Sequence, residues 1–105
     1  MALCNAVRYT EPMITSFRCA DTESIFHGDR VSSFQVSVQK VARRKLRMLD
    51  AAQELNDLRV PPANRLEKLK GNRAGQHSIR VNNQYRICFV WNAGKASRVE
   101  IVDYH

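Results

Sequence analysis

The side chains best suited to chemistry on a phosphate ester lie in the C-terminal half of the chain. Arg86 falls within Gln84-Tyr-Arg-Ile-Cys-Phe-Val-Trp91, and Asp103-Tyr104-His105 ends the sequence. Both stretches read as strands, whose side chains alternate between two faces. Arg86, Cys88 and Val90 then point one way, and Tyr85, Ile87, Phe89 and Trp91 the other. Likewise Val99, Ile101, Asp103 and His105 share one face, and Glu100, Val102 and Tyr104 its opposite. A planar guanidinium such as Arg86 holds two phosphate oxygens at once. The ring of His105 lies beside its own terminal carboxylate, which favours the protonated imidazole and suits a general acid or a phosphate-binding cation. The plainer alternatives are a frayed end for His105 and a sheet-edge aromatic for Tyr104.

Other chemistries find little support. The sequence has no phosphate loop, nucleophile elbow or metal-binding helix motif, and Gly71 and Gly75 are too few and too far apart to cradle a pyrophosphate. Cys4, Cys19 and Cys88 are widely spaced, odd in number and outside any CxxC pair. Reduced thiols are expected, with no structural metal and no cofactor.

Charge points to a partner. The 105 residues carry 17 Lys and Arg against 10 Asp and Glu, a net of +7. Between Lys40 and Arg73 there are ten basic residues and four acidic ones, so most of the excess is concentrated there. A basic concentration in so small a domain favours a polyanion, most often nucleic acid, although a solvated helix face would look the same. The 44% apolar and 26% charged composition is that of a folded domain. The longest apolar run, Ile87-Cys88-Phe89-Val90-Trp91, is strand-sized, and Met1–Arg8 lacks a basic leader followed by an apolar stretch. A cytoplasmic protein without a membrane segment is expected.

The elements that must position these residues follow from periodicity. Residues 1–12 show no period and end at Pro12, before Met13; they are expected to be a dispensable extension of a domain over 13–105. Ile14-Thr-Ser-Phe-Arg-Cys19 alternates as a half-buried strand does. Asp21-Thr-Glu-Ser24 opens a short helix that Gly28 closes. A longer helix from Ser33 or Phe34 to Gln53 places Val38, Val41, Ala42, Leu46, Leu49 and Ala52 inward and Lys40, Arg43, Arg44 and Arg47 outward. Asp50–Leu58 either continues it or starts a second short helix, until Pro61-Pro62 forbids continuation. Then come strands at Leu66–Lys70, His77–Asn82, Gln84–Trp91 and Ser97–Tyr104, with turns at 71–75, at Asn82-Asn83 and at Asn92–Lys95. The expected fold is α+β: an N-terminal strand and two to three helices on a mainly antiparallel sheet of about four to five strands.

The run Asn64-Arg-Leu-Glu-Lys-Leu-Lys-Gly-Asn-Arg-Ala-Gly-Gln-His-Ser-Ile-Arg-Val-Asn-Asn-Gln-Tyr-Arg-Ile87, with Val-Glu-Ile-Val-Asp-Tyr-His at the end, resembles the HigB group of the RelE/ParE toxin superfamily. Val41–Leu46 and Asp57–Pro62 match it too, so the resemblance covers Met13 to His105. It implies a RelE-like fold and a type II toxin that cleaves messenger RNA, usually on the translating ribosome. It also implies a HigA-type helix-turn-helix antitoxin, through which alone the toxin would meet operator DNA. Lys70, Arg86, Asp103, Tyr104 and His105 fall on the group's RNA-binding or cleavage positions. Arg73 falls where message or ribosomal phosphates would be held, and Lys40, Arg43, Arg47, Arg65 and Lys68 are the further RNA- or ribosome-binding candidates. Some members carry His-Pro-Leu-Lys-Gly where this chain has Glu67-Lys68-Leu69-Lys70-Gly71. Glu67 is then either a replacement general base or a surface residue paired with a lysine.

The implied mechanism uses no metal: a base takes the ribose 2′-hydroxyl proton, the oxygen attacks phosphorus, and an acid protonates the departing 5′-oxygen. Arg86 and Lys70 would stabilise the charge, His105 or Tyr104 would be the acid, and Glu67 or Asp103 the base or its orienter. The competing readings are a gyrase-directed toxin of ParE type and a non-catalytic basic module for nucleic acid.

Overall fold

The computed structural model describes residues 13–103; residues 1–12, Tyr104 and His105 lie outside the described part. Two helices, α1 (Ala20–Phe26) and α2 (Val36–Ala51), precede a meander of four antiparallel strands in the order β1 (Glu67–Lys68), β2 (Gln76–Arg80), β3 (Tyr85–Asn92) and β4 (Lys95–Asp103). Short 3-10 turns at Leu55–Arg59, Pro62–Asn64 and Gly71–Arg73 fill the connections. Both helices cover one face of the sheet, as the α+β expectation required. Among the described residues no helix is long and apolar enough to cross a membrane.

The core forms where the two periodicities meet. From α2, Val38, Ala42, Leu46 and Leu49 are buried against Ile79, Ile87, Phe89, Val99 and Ile101 of the sheet. Helical steps of three and four meet strand steps of two, which is why both sets were legible in the sequence. Each fully buried aliphatic side chain here stabilises by about 1.5–3 kcal/mol.

α1 ends in a Schellman motif. Gly28 adopts φ +93°, its N–H donates to Ile25 O at 3.0 Å, and Asp29 N–H donates to Ser24 O at 2.9 Å. The buried Thr22 hydroxyl accepts the Ile101 N–H at 3.1 Å and so ties α1 to β4. α2 begins later than expected, at Val36, because the Gln39 side chain claims the entering loop. Its amide donates to Val31 O and Phe34 O at 2.7 and 2.6 Å and accepts from Val31 N–H at 3.0 Å. α2 stops at Ala51, and the second of the two expected continuations follows: a separate short turn at Leu55–Arg59, capped reciprocally by Glu54 and Asp57.

The N-terminal strand expected at Ile14–Cys19 is not a continuous strand. Ile14 and Phe17 bridge Ala96 and Val99 in parallel, with main-chain bonds of 2.8–3.2 Å. The cause lies in β4, where a register shift opposite Cys88–Val90 leaves Arg98 at φ +53°. The Arg98 N–H then donates to Ser16 Oγ at 2.9 Å instead of extending a ladder. The β3–β4 turn carries Ala93 and Gly94 at φ +53° and +78°, the primed geometry that suits right-twisted strands.

The segment from Met13 is anchored by one carboxylate: Asp50 Oδ1 accepts the N–H groups of Met13 and Ile14, each at 3.1 Å. Removing residues 1–12 is expected to leave the unfolding free energy unchanged. Asp50→Ala, which strands two amide donors, should lower it by about 1–3 kcal/mol in denaturant titrations.

Candidate active site

The face of the sheet turned away from the helices is set by cross-strand register. Glu67, Ser78, Cys88 and Glu100 stand opposite one another across β1 to β4 and form one row. Arg80, Arg86 and Val102 form the next. Two arginines lie over these rows, each beside a carboxylate.

Arg86 is only 8% exposed. Its Nε donates to Ser78 Oγ at 2.7 Å, and one terminal nitrogen donates to Arg65 O at 2.5 Å and lies 3.7 Å from Glu67 Oε1. A guanidinium at this depth needs such partners, because an unpaired buried charge costs several kcal/mol. Arg65 itself takes φ +46°, which turns its carbonyl toward Arg86 while its side chain stays exposed. The two-oxygen grip on phosphate expected of Arg86 therefore meets a fork largely engaged by the protein.

The second pair is Arg73 and Glu100. Arg73 donates to Glu100 Oε2 and to Gln76 Oε1, both at 3.1 Å, and Arg18 Nε lies 3.8 Å from the same carboxylate oxygen. This contact fastens the Gly71–Arg73 turn to β4, and Lys70, exposed at the N-cap of that turn, is carried with it. Between the pairs, burial pushes the Cys88 thiol up; Arg73 and Arg86 oppose that shift and Glu100 reinforces it.

Glu67, Arg86 and the Arg65 backbone are thus brought together, while Arg73 is held at the Glu100 end of the same face and Lys70 is exposed at the start of its turn. Lys68 is exposed but stands opposite His77, on the other face of the strand pair from Glu67. Asp103 stands opposite Tyr85, so it belongs to the helix-side face at the end of β4, where its Oδ2 accepts from Gln84 Nε2 at 3.0 Å. Lys40, Arg43 and Arg47 lie on the exposed side of α2, which points away from the sheet altogether. The expected RNA-binding cations are consequently divided between opposite sides of the molecule. Tyr104 and His105 fall outside the described residues.

Sequence reasoning missed Ser78, which anchors Arg86, and Glu100, which holds Arg73. Strand alternation put Glu100 opposite in facing to Ile101, but its pairing with Arg73 depends on a long-range register. It also missed His77, which stacks on Phe89 with ring centroids 6.3 Å apart and whose buried Nδ1 has no hydrogen-bond partner among the described residues.

Comparison with known proteins agrees with this architecture. The model of the RelE-like toxin of the type II toxin–antitoxin system HigB matches residues 15–105. The chain belongs to this family. Within it, Toxin HigB-1 of Vibrio cholerae serotype O1 is 55% identical over 60 residues, covering 57% of the present chain and 63% of that relative. An uncharacterised protein of Haemophilus influenzae is 40% identical over 73 residues, 70% of this chain and 72% of that one. Among solved structures, two YoeB–YefM complexes from Staphylococcus aureus contain chains that match with TM-scores of 0.57 and 0.53 at 20% and 21% identity. Each match covers 90% of this HigB-like chain and 98% of the other, which establishes the shared RelE-like fold.

Burial, with Lys68 adding to it, holds the His77 imidazole below its ordinary pKa of 6.5. The unfolded chain then binds the proton more readily, so stability is complete above about pH 6.5 and declines as pH falls below it. Denaturation measured from neutral pH to pH 5 should show this loss, and His77→Phe, which keeps the stack, should flatten the His77 contribution.

Proposed function

We propose that this HigB-family toxin is a metal-independent endoribonuclease that cleaves messenger RNA on the translating ribosome in the cytoplasm and so arrests growth. Its activity is held in check by a HigA-type antitoxin. The observation that carries the reading is the Arg86–Glu67 pair on the open face of the sheet, with exposed Lys70 three residues further along the same connection.

The chemistry follows from that placement. Glu67, with its side chain 54% exposed beside the Arg86 guanidinium, is a carboxylate that solvent and substrate both reach. It accepts the 2′-hydroxyl proton as the oxygen attacks the adjacent phosphorus. The bond to the 5′-oxygen breaks, leaving a 2′,3′-cyclic phosphate on one fragment. His105 or Tyr104 gives the proton to the departing oxygen, with Asp103 orienting the terminal segment. Lys70 meets the phosphate directly, while Arg86 sets the position of Glu67 and supplies positive potential from beneath. Arg65 and Arg73, at the border of this face, steer the message by its phosphates. The ribosome orients the message, so modest acid–base chemistry is sufficient.

Message cleavage on translating ribosomes, with EDTA present, tests the proposal. Wild-type chain should cut. Glu67→Gln and deletion of His105 should each slow cleavage by about 10²–10⁴-fold, and Lys70→Ala by about 10²–10³-fold. A wild-type chain that arrests growth yet leaves messages intact would contradict the reading and point to gyrase or another protein target.

A further inference from the structure

One cation of α2 faces inward. Lys45 stands three residues after Ala42 and four before Leu49, on the core side of the helix, and is only 4% exposed. No ion pair joins it to a carboxylate among the described residues. Burial, and then the like charges of Arg44 and Arg80, hold its ammonium below the ordinary pKa of 10.5. An apolar side chain of this length would fill the same place without that cost. Packing alone does not call for a lysine here.

What the lysine supplies is a hydrogen-bond donor. Its Nζ donates to Oδ1 of Asn64, which is fully buried. The rest of Asn64 is committed to its own loop: Nδ2 donates to Leu58 O at 3.2 Å, and the main-chain N–H to Pro61 O at 2.9 Å. The next residue is Arg65, whose φ of +46° is sparsely populated for a residue with a Cβ and persists only where its surroundings over-determine it. Its N–H donates to Pro62 O at 3.0 Å, and its carbonyl accepts from Arg86 at 2.5 Å. The side chain that Lys45 holds and the oxygen that holds Arg86 thus belong to adjacent residues.

We infer that Lys45 is a positioning residue for the Arg86–Glu67 pair, acting through Asn64 and the left-handed backbone of Arg65. It touches neither message nor reacting atoms. Without its donor, Asn64 Oδ1 is stranded in the core. Asn64 then turns toward other donors, the Arg65 carbonyl leaves the Arg86 guanidinium, and Glu67 loses the fixed neighbour beside which it works. A displacement of about 1 Å in such a frame costs about 10²-fold in rate. That kinetic consequence rests on the nuclease reading; the placement of Arg86 does not.

The test compares the full chain with Lys45→Met, which keeps the length and removes the donor, and with Lys45→Gln, which keeps N–H donors without the charge. Loss of a buried charge and loss of the Asn64 donor oppose each other, so Lys45→Met should melt within about 5 °C of wild type. In its NMR spectra the Leu66 amide, which shares a peptide unit with the Arg65 carbonyl, and the Arg86 Nε–H should both shift or broaden. The β4 amides should stay in place. On translating ribosomes kcat should fall about 10²-fold, with KM for the ribosome unchanged. Lys45→Gln should lie between the other two proteins in both readouts. A folded Lys45→Met with wild-type Leu66 and Arg86 resonances, or with wild-type kcat, would overturn the inference, as would a loss of activity seen only as a raised KM. If neither variant folds, Lys45 serves the fold itself, which overturns it too. A wild-type chain that cuts no message contradicts the nuclease reading instead, and the two resonances alone then decide whether Lys45 positions Arg86.

Discussion

A guanidinium placed within a small sheet constrains everything around it. Arg86 is accommodated at near-complete burial by the Ser78 Oγ, the Arg65 carbonyl and the Glu67 carboxylate around it. Those three partners come from β2, from the turn after Pro62–Asn64, and from β1. Satisfying one side chain therefore fixes the left-handed backbone at Arg65, the short β1 pairing and the direction in which Lys70 leaves the sheet. A two-residue strand such as Glu67–Lys68 has little stability of its own. The ion pair and the Leu69 N–H bond to Gln76 O at 2.9 Å hold it in register.

The same arrangement explains why charge is divided as it is. One side of the molecule carries Arg86 beside Glu67, and Arg73 and Arg18 beside Glu100, together with Arg80, which donates to Asn83 Oδ1. The other carries Lys40, Arg44 and Arg47 along α2, which no ion pair joins to a carboxylate among the described residues. Between them the helix–sheet core keeps the two surfaces apart. Lys45 marks the boundary: it is buried, donates to Asn64 Oδ1, and is held below its ordinary pKa by burial, with Arg44 and Arg80 adding to the effect. Asn64 in turn donates to Leu58 O at 3.2 Å, so the loop between α2 and β1 closes over that lysine.

Much of this was legible in the sequence where periodicity is strong. The inward set Val38, Ala42, Leu46 and Leu49, the alternation through Tyr85–Trp91, the stop at Gly28 and the hairpin at Asn82 follow from spacing and turn chemistry. At that hairpin, Asn82 Oδ1 accepts the N–H groups of Gln84 and Tyr85, each at 2.8 Å. What escaped were facts that depend on distant segments. Alternation told which way Arg86 points, but not that the connection from Arg65 to Arg73 covers it. Helical spacing assigned Lys40 and Arg47 to the outer side of α2, but could not say that this side is remote from Arg86. Lys45 and Gln39 are polar residues buried by loops that carry no period, and the β4 irregularity at Arg98 has no glycine to announce it.

The central claim is that this face directs a ribose 2′-hydroxyl at the neighbouring phosphorus. End-group analysis of fragments cut on translating ribosomes in EDTA tests it most directly. The account predicts 2′,3′-cyclic phosphate on the upstream fragment and a 5′-hydroxyl on the downstream one. A 3′-hydroxyl with a 5′-phosphate would contradict it, because that outcome requires water rather than the ribose oxygen as nucleophile.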